Sequence, residues 1–333
     1  MRIGILGVGR IGSSHAEVVH RHPDVTSVVL ADAVPARARE VAERLGCESV
    51  DDAADVPASG VDALIVASAT DTHADLTLAG VDNGLPVFCE KPVALDVSTT
   101  RRVLDRVRDS GVQVQIGLQR RFDHGYRSAH AAMRDGTLGQ LHRVHLVTAD
   151  PAPPHAEYIP ASGGMFRDCH IHDFDILRWV TGREVVDVYA LGSNRGADFF
   201  RESGDVDSTA AVMRMDDDTL VTVQGSRYNG AGYDVRMEVA GTKATYSVGL
   251  DERLPMTSAE PGVEFPTGEA WPNFWDRFTP AYVAEVNAFV DVVKGVTQSP
   301  CTVEDALNAL YIAEAAVLSR AEGRRVEVEE VRK

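Results

Sequence analysis

Side chains suited to proton transfer occur as a pair in the second half of the sequence. Asp168 and His172 are four residues apart within residues 163–179, which we predict to form one helix that ends near Gly182. Residues one helical turn apart lie on the same face, and a carboxylate beside an imidazole stabilises the imidazolium that forms when the ring accepts a proton. The spacing therefore indicates a general base, although an ordinary helical ion pair has the same spacing.

A lysine in the first half is a second candidate for acid–base chemistry. Lys91 stands between Glu90 and Pro92 at the end of a predicted strand, where open parallel sheets place their ligand crevice. Only four of the 33 basic residues are lysines, and lysine, unlike arginine, can lose its proton near neutral pH when its site lowers its pKa. Pro92 also restricts the backbone of Lys91. The pattern favours a positioned amine over the alternative, a solvated charge.

Other potential metal ligands lack the spacing of a metal site. His170 lies on a different face of the predicted helix from His172, which indicates a structural role. Together with Asp173 and Asp175 these histidines do not form an H-E-x-x-H pattern. The cysteines, too far apart for a zinc knuckle or a CxxC redox pair, are Cys47, Cys89, Cys169 and Cys301. We therefore expect no metal, and thiols that are reduced and buried.

A glycine-rich turn stands near the start of the sequence. Gly7, Gly9 and Gly12 form a GxGxxG motif between a predicted strand and a predicted helix. In this motif the first glycine permits a tight turn, the second lets the backbone approach a pyrophosphate, and the third lets helix and strand pack closely. The helix N-terminus faces the phosphates. The motif therefore predicts a dinucleotide site.

Asp32 determines which dinucleotide we expect. It ends the second predicted strand, where an acidic residue hydrogen-bonds the adenosine ribose. A carboxylate accepts a hydrogen bond from a 2′-hydroxyl group but repels a 2′-phosphate, so the sequence predicts NAD rather than NADP. Arg37 and Arg39 follow within two helical turns, where an arginine could in principle bind such a phosphate; we interpret both as solvated charges.

The residues up to Gln119 alternate between short apolar runs and stretches of helical period. Strands are predicted at residues 2–6, 27–32, 63–67, 86–89 and 113–116. Helices are predicted between them at residues 11–21, 36–45, 73–83 and 98–109. This alternation is typical of βαβ units around a parallel sheet, and it predicts a Rossmann domain over residues 1–119.

The pattern changes after residue 120. A helix predicted at residues 126–135 precedes strands predicted at 143–148, 185–191, 209–215, 219–224, 235–240 and 244–248. Strands joined by such short links are mostly antiparallel, so we predict a second domain over residues 120–333 with one open, mostly antiparallel sheet. Helices predicted at residues 282–294 and 303–322 either cover this sheet or return to the first domain; the sequence leaves both open.

Composition excludes several classes of partner. The formal net charge is −17 and the basic residues are scattered, unlike the clustered basic surface of a nucleic-acid-binding protein. The sequence contains no run of about twenty apolar residues and no signal-peptide pattern. We therefore expect no nucleic-acid or membrane partner, and a cytoplasmic location.

Taken together, these motifs resemble those of the glucose–fructose oxidoreductase/inositol dehydrogenase (Gfo/Idh/MocA) family over nearly the whole chain. The motifs, in chain order, are the GxGxxG turn, His15-Ala16, Thr70-Asp71-Thr72-His73, Glu90-Lys91-Pro92, Gln119-Arg120-Arg121-Phe122 and the stretch from Asp168 to His172. Residues 121–126 and 275–278, with Tyr282 and Glu285, are most similar to inositol 2-dehydrogenases.

The resemblance implies NAD-dependent oxidation of a secondary alcohol on a cyclitol or sugar, by a homodimer or homotetramer. It implies a catalytic group of Lys91, Asp168 and His172. The residues expected to bind the cofactor are Gly7, Gly9, Arg10, Ile11, Gly12, Asp32, Ala69, Thr70, His73, Glu90, Lys91 and Gln119. The candidate contacts of a small polyol substrate are Lys91, Arg121, His155, Tyr158, Asp168 and His172, with Asp123 and the aromatic residues 271–278.

Two questions of mechanism and substrate stay open at this point. Either His172 accepts the hydroxyl proton while Lys91 stabilises the alkoxide, or Lys91 is itself the base. Gln119 and residues 150–154 depart from the pattern of the family, which concerns the substrate more than the chemistry. The alternatives are another sugar or amino-sugar dehydrogenase and a non-catalytic sensor of sugars; the presence of Lys91 and His172 favours an enzyme.

Overall fold

The chain divides into two compact units, each built from two segments of sequence. The computed structural model describes residues 1–332. The first unit combines Met1–Gln119 with Pro280–Leu307, and the second combines Arg120–Thr279 with Asn308–Lys333. The predicted division into domains 1–119 and 120–333 therefore differs from the structure in one segment, Pro280–Leu307.

A six-stranded parallel sheet forms the centre of the first unit. Its strands are β1 (Arg2–Leu6), β2 (Ser27–Ala31), β3 (Glu48–Ser49), β4 (Ala63–Val66), β5 (Val87–Glu90) and β6 (Val114–Gly117). The helices between them are α1 (Arg10–Arg21), α2 (Pro35–Leu45), α3 (Thr70–Asp82) and α4 (Val97–Ser110). The strand order β3-β2-β1-β4-β5-β6 is that of a Rossmann fold, which confirms the predicted fold class.

A seven-stranded sheet forms the centre of the second unit. Its strands are β7 (Leu141–Ala149), β8 (Val185–Ser193), β9 (Ser208–Met215), β10 (Leu220–Ser226), β11 (Asp234–Gly241), β12 (Thr245–Val248) and β13 (Val326–Glu327). Their order is β12-β11-β7-β10-β9-β8-β13, and β7 with β10 is the one parallel pair. The prediction of an open, mostly antiparallel sheet is therefore confirmed.

One helix prediction is wrong. The remaining helices are α5 (His124–Arg134), α6 (Tyr158–Ser162), α7 (Met165–Asp168), α8 (His170–Thr181), α9 (Phe199–Glu202), α10 (Phe274–Val293) and α11 (Val303–Glu322). Residues 163–179, predicted as one helix, form two, because buried side chains on either side of Cys169 bind other parts of the second unit. Asp168 binds Arg227, which follows β10, and His170 binds Thr209 of β9. No helix within residues 1–332 is long and apolar enough to cross a membrane.

The core of the first unit explains why the chain returns to it after residue 280. Central strands contribute fully buried side chains such as Ile5 and Phe88, as expected for a parallel sheet that is covered on both faces. Val286, Phe289 and Val292 of α10 join the same apolar cluster. Burying these side chains removes apolar area from water, which stabilises the association of α10 with this sheet.

Candidate active site

The GxGxxG turn connects β1 to α1 and has one closed side and one open side. Gly7 has φ +91°, and a Cβ added there would lie 2.4 Å from the Ser68 Cα. A Cβ added at Gly12 would lie 2.0 Å from the Gly7 oxygen, whereas one added at Gly9 would meet nothing within 4 Å. Only the middle glycine therefore leaves its backbone accessible, which is the arrangement that a pyrophosphate group requires.

Asp32 lies immediately against this turn. It is almost fully buried; its Oδ2 accepts a hydrogen bond from the Val8 N–H at 2.8 Å, and its Oδ1 accepts one from the Val34 N–H at 2.9 Å. The Arg37 guanidinium also donates to Oδ1, at 3.0 Å. Our interpretation of Arg37 as a solvated charge is therefore wrong. Arg39, by contrast, is exposed and pairs with the exposed Asp51. The Asp32 carboxylate is thus held at the position expected for a ribose-binding group.

His73 links the segments that follow β4 and β5. Its Nδ1 is 2.7 Å from the Pro92 oxygen and its Nε2 is 3.1 Å from the Ser68 oxygen, so both ring nitrogens face hydrogen-bond acceptors. Burial alone would lower the pKa of His73, but Cys89 and the carbonyl groups of Pro92 and Ser68 raise it to about 9. An imidazolium supplies the two N–H groups that these carbonyls require. His73 therefore holds the backbone beside Lys91, and its predicted contact with the cofactor stays a prediction.

The other residues predicted to bind the cofactor in this unit differ in exposure. Arg10 and Ile11 begin α1, and Ala69 and Thr70 begin α3; Arg10 and Ala69 are exposed, while Ile11 and Thr70 are half-buried. The Gln119 side chain is buried, and its Oε1 has no hydrogen-bond partner among residues 1–332. A buried amide oxygen without a donor calls for a partner from outside the chain, such as a water molecule or a ligand.

Glu90 and Lys91 lie at the carboxyl end of β5, where a Rossmann sheet binds its ligand. Lys91 is half-buried, whereas the Glu90 side chain is buried and lies 2.6 Å from the His15 Nε2. A buried carboxyl group from α10, that of Glu285, belongs to the same cluster. The family resemblance of the sequence included His15 and Glu285, but the spacing of these residues gave no indication of their contact.

In the second unit, Asp168 is bound by two side chains that sequence spacing did not link to it. Its Oδ2 accepts a hydrogen bond from the Arg227 guanidinium at 2.6 Å, and its Oδ1 accepts one from the Tyr158 hydroxyl at 2.9 Å. Arg227 is buried and also donates to Asp150 at 3.0 Å. One arginine therefore compensates two carboxylates, and Asp168 is fixed in orientation. Burial and the Asp168 carboxylate raise the pKa of Tyr158, so its hydroxyl remains a donor.

The histidines of α8 have different environments. His172 is half-buried, four residues after Asp168 and beyond the break at Cys169. His170 is buried, with its ring nitrogens 2.7 Å from Asp173 and 2.7 Å from Thr209, as expected for a structural residue. Burial alone would raise the pKa of Asp173, but Arg120 and the hydrogen bonds from its neighbours lower it to about 2. Only His172 of the two is accessible for proton transfer.

The other candidate substrate contacts divide into buried and exposed groups. Arg121 is buried, and its guanidinium donates two hydrogen bonds to Asp175, at 2.9 Å and 2.5 Å. Asp123 caps the N-terminus of α5 and pairs with Arg277. His155 is exposed, and Tyr158 is 45% exposed while its hydroxyl binds Asp168. The structure thus brings together Tyr158 and Asp168, and the predicted substrate contacts of the other residues stay predictions.

Comparisons with known proteins agree with this description of the two units. Residues 1–118 match a family model described as "Oxidoreductase family, NAD-binding Rossmann fold", and residues 126–247 match the "GFO/IDH/MocA C-terminal domain". The chain is 35% identical to an inositol 2-dehydrogenase from Rhizobium meliloti (strain 1021), over 98% of this chain and 99% of that protein.

Solved structures are similar over the same extent. A probable dehydrogenase from Thermotoga maritima superimposes with a TM-score of 0.93 at 34% identity, covering 99% of this chain and 100% of that one. A scyllo-inositol dehydrogenase from Lactobacillus casei, solved with bound NAD(H) and scyllo-inositol, has a TM-score of 0.89 at 28% identity and covers 99% of each chain.

Proposed function

The chain belongs to the Gfo/Idh/MocA family of oxidoreductases, and from that premise we propose that it is an NAD-dependent dehydrogenase that oxidises a secondary alcohol of an inositol to a ketone. The observation that carries this proposal is the similarity of the chain, over nearly its entire length, to inositol dehydrogenases. Lys91, Asp168 and His172, the acid–base groups that such chemistry needs, are all present.

The residues of the first unit fit NAD. The open side of Gly9 suits the pyrophosphate, and the buried carboxylate of Asp32 suits the ribose hydroxyl groups. We propose that the remaining contacts come from Gly7, Arg10, Ile11, Gly12, Ala69, Thr70, His73, Glu90, Lys91 and Gln119. When bound, NAD supplies the acceptor for the hydride that leaves the substrate carbon.

In the proposed mechanism, His172 accepts the proton of the substrate hydroxyl group. Asp168, held by Arg227 and Tyr158, orients His172 and stabilises its positive charge. Lys91 donates a hydrogen bond to the same oxygen and stabilises the developing alkoxide. The alternative assigns the proton to Lys91. Both versions require that Lys91 and His172 reach one hydroxyl group.

Turnover measurements test this proposal. We expect purified protein to reduce NAD in the presence of myo-inositol or scyllo-inositol, with glucose and an amino sugar as comparison substrates. Lys91→Ala and His172→Ala should each lower turnover by on the order of 10²–10⁴ and leave NAD binding intact. Lys243→Ala and His142→Ala, at exposed positions, are matched controls. Reduction of NAD with glucose or the amino sugar but not with an inositol would identify a sugar dehydrogenase. No reduction of NAD with any of these substrates would support a non-catalytic sensor.

We also propose that the protein is a homo-oligomer that associates through the outer face of the seven-stranded sheet. Tyr189, Leu191, Val212 and Leu220 are each at least 40% exposed and lie on one face, as the strand registers show. Tyr189 is opposite Val212, and Val212 is opposite Thr222. Several exposed apolar side chains on one face of a sheet are typical of a self-complementary interface between two copies of a chain.

A cytoplasmic location follows from the same proposal. The reaction draws on a pool of NAD, and none of the four cysteines forms a disulfide bond. Reduced thiols persist in the reducing conditions of the cytoplasm. Fractionation of the producing cells would test the location.

A further inference from the structure

Three titratable side chains form a buried cluster at the strand end that carries Lys91. His15 of α1 and Glu285 of α10 are fully buried, and Glu90 of β5 is 7% exposed. One ligating atom from each lies within 4.8 Å of the others. The His15 Nε2 is 2.6 Å from the Glu90 Oε1, whereas both carboxyl oxygens of Glu285 and the His15 Nδ1 are buried and have no hydrogen-bond partner within residues 1–332.

The surroundings of Glu285 disfavour its ionised form. Phe88 and Tyr282 pack against the His15 ring, and Phe289 packs against Phe88, so this part of the core is largely apolar. The titratable groups beside Glu285 are His15 and Glu90, and Tyr282 lies against the His15 ring. The Gln115 amide donates to the Glu285 backbone carbonyl rather than to its carboxyl group. Burial and the neighbouring Glu90 raise the pKa of Glu285 well above its usual 4.5.

We propose that Glu285 is a positioning residue: it keeps its proton in the folded protein and, as a neutral acid, holds Glu90 and His15 in one arrangement. His15 lies on the helix that follows the glycine-rich turn, and Glu90 immediately precedes Lys91. The cluster therefore connects two elements that are proposed to bind the cofactor. A protonated carboxyl group can donate to Glu90 or to the His15 Nδ1, directly after a small rotation or through one bridging water.

Gly117 shows how closely Glu90 is confined. A Cβ added at Gly117 would lie 3.0 Å from the Glu90 carboxyl carbon and 3.0 Å from Phe88. The Glu90 carboxyl group therefore packs against the backbone of the neighbouring strand on its Gly117 side, while Glu285 lies in the same cluster. A proton kept by Glu285 removes the repulsion between the two carboxyl groups.

A divalent cation is the rival explanation of this geometry. One imidazole and two carboxylates are suitable ligands, and one such atom from each side chain lies within 4.8 Å of the others. The direct bond between His15 and Glu90, however, already engages one atom of each side chain. The proton therefore accounts for the contacts with fewer changes, and a cation is an outcome that the experiment must distinguish.

The pH dependence of unfolding tests the proton without reference to activity. Unfolding constants of the wild type and of Glu285→Gln, which mimics the neutral acid, should be compared between about pH 5 and pH 8. In the unfolded chain Glu285 ionises above its usual pKa, whereas in the folded protein it stays protonated, so the wild type alone loses stability from this group as the pH rises. The ratio of the wild-type to the variant unfolding constant should increase by up to tenfold per pH unit. A ratio independent of pH would overturn the proposal.

Two further variants and a metal analysis complete this test. Glu43→Gln changes an exposed residue, and Val286→Ala changes a buried apolar residue next to Glu285 in α10. Both should change stability by amounts that do not depend on pH. The infrared C=O band of a protonated carboxyl group should be present in the folded wild type at neutral pH and absent from Glu285→Gln. The purified wild type should also be analysed for metal. If it contains a stoichiometric divalent cation, and if chelation lowers the stability of the wild type only, the cluster binds a metal ion and the proposal is overturned.

The positioning role, which rests on the proposed NAD-dependent function, has its own readout. Glu285→Ala should raise the KM for NAD by roughly tenfold while Glu285→Gln restores most of that loss, because the carboxamide keeps a donor in place. Equal losses in both variants would overturn the positioning role, because glutamine keeps the size and a donor of the neutral acid and lacks only the ionisable carboxyl group. If the wild type reduces no substrate, the proposed function fails, yet the unfolding and infrared results still decide the state of Glu285.

Discussion

Asp32 and Arg37 form an ion pair, and we expect this pair to govern the choice between NAD and NADP. The carboxylate accepts hydrogen bonds from the Val8 and Val34 backbone and from Arg37, and Arg37 remains half-exposed. We expect the Asp32 carboxylate to repel a 2′-phosphate and to engage the arginine that would otherwise bind one. The sequence predicted the role of Asp32 from its position but not its pairing with Arg37, since a side-chain contact five residues apart at a strand end depends on rotamers.

Removal of the Asp32 carboxylate should therefore have two effects. In Asp32→Ser the repulsion is lost and Arg37 is released, so the ratio of NADP to NAD turnover should rise by roughly tenfold or more, the worth of one charge-assisted hydrogen bond. Steady-state kinetics with both cofactors measure it. Adding Arg37→Ala to Asp32→Ser should reverse most of the gain; an unchanged ratio in Asp32→Ser itself would contradict the role of the carboxylate.

The contact between Arg227 and Asp168 could not be predicted from the spacing of residues in the sequence. Arg227 is 59 residues from Asp168 in sequence and reaches it from the end of β10, while Asp150 follows the end of the neighbouring β7. A pattern of polar residues at these strand ends does not specify which charges will meet, because that depends on strand order. The contact between Tyr158 and Asp168, in two short neighbouring helices, was missed for the same reason.

At the level of elements, Gly9 and Gly12 of the glycine-rich turn are glycines for different reasons. Gly12→Ala would place a methyl group against the backbone oxygen of Gly7, which cannot move without opening the contact between β1 and α1. Gly9→Ala meets open space, and its φ of −65° is accessible to alanine. The two substitutions add the same group to one motif, so they separate the needs of the fold from those of the ligand.

We expect Gly12→Ala to affect mainly stability and Gly9→Ala to affect mainly NAD binding. Gly12→Ala should lower the free energy of unfolding by about 1–3 kcal/mol through overpacking. Gly9→Ala should change it by less than about 1 kcal/mol but weaken NAD binding by roughly tenfold or more, because the methyl group occupies the approach of the pyrophosphate. Chemical denaturation and calorimetric titration with NAD measure the two quantities. Normal NAD affinity in Gly9→Ala would place the cofactor elsewhere.

The elements themselves were predictable where burial and periodicity agree. Strands β1 and β4 are continuous apolar runs between turns, and each was predicted to within one residue. The two-residue strands β3 and β13 are too short to have a period, and both were missed. The break at Cys169 was missed because the helical pattern continues through it, while the cause of the break lies in partners from β9 and from the segment after β10.

At the level of the whole molecule, the chain order does not match the division into units. The segment Pro280–Leu307 belongs to the first unit although it follows the entire seven-stranded sheet. Its apolar residues fit equally well, by sequence, on either sheet, which is why the sequence left both possibilities open. Glu285 belongs to this returning segment, so the buried cluster of His15, Glu90 and Glu285 exists only when the first unit has been completed by residues near the end of the chain.

The outer face of the seven-stranded sheet allows the oligomeric state to be tested. Leu191 and Val212 are 54% and 52% exposed and lie on adjacent strands of the same face. In an isologous interface each substitution occurs on both copies, so Leu191→Glu with Val212→Glu would bring four new carboxylates into one buried surface. The desolvation of unpaired charges is costly, and we expect this double variant to be monomeric where the wild type is a dimer or tetramer.

Light scattering coupled to size-exclusion chromatography measures this change. Val296→Glu, at a position of the first unit that is 69% exposed, adds the same charge outside the sheet and should leave the wild-type mass unchanged. A wild type that is monomeric at micromolar concentration would contradict the proposed interface, and an oligomer that survives the double substitution would move it to another surface. Turnover of the monomeric variant would then show whether association contributes to catalysis, since neither substituted side chain is among the proposed catalytic or binding residues.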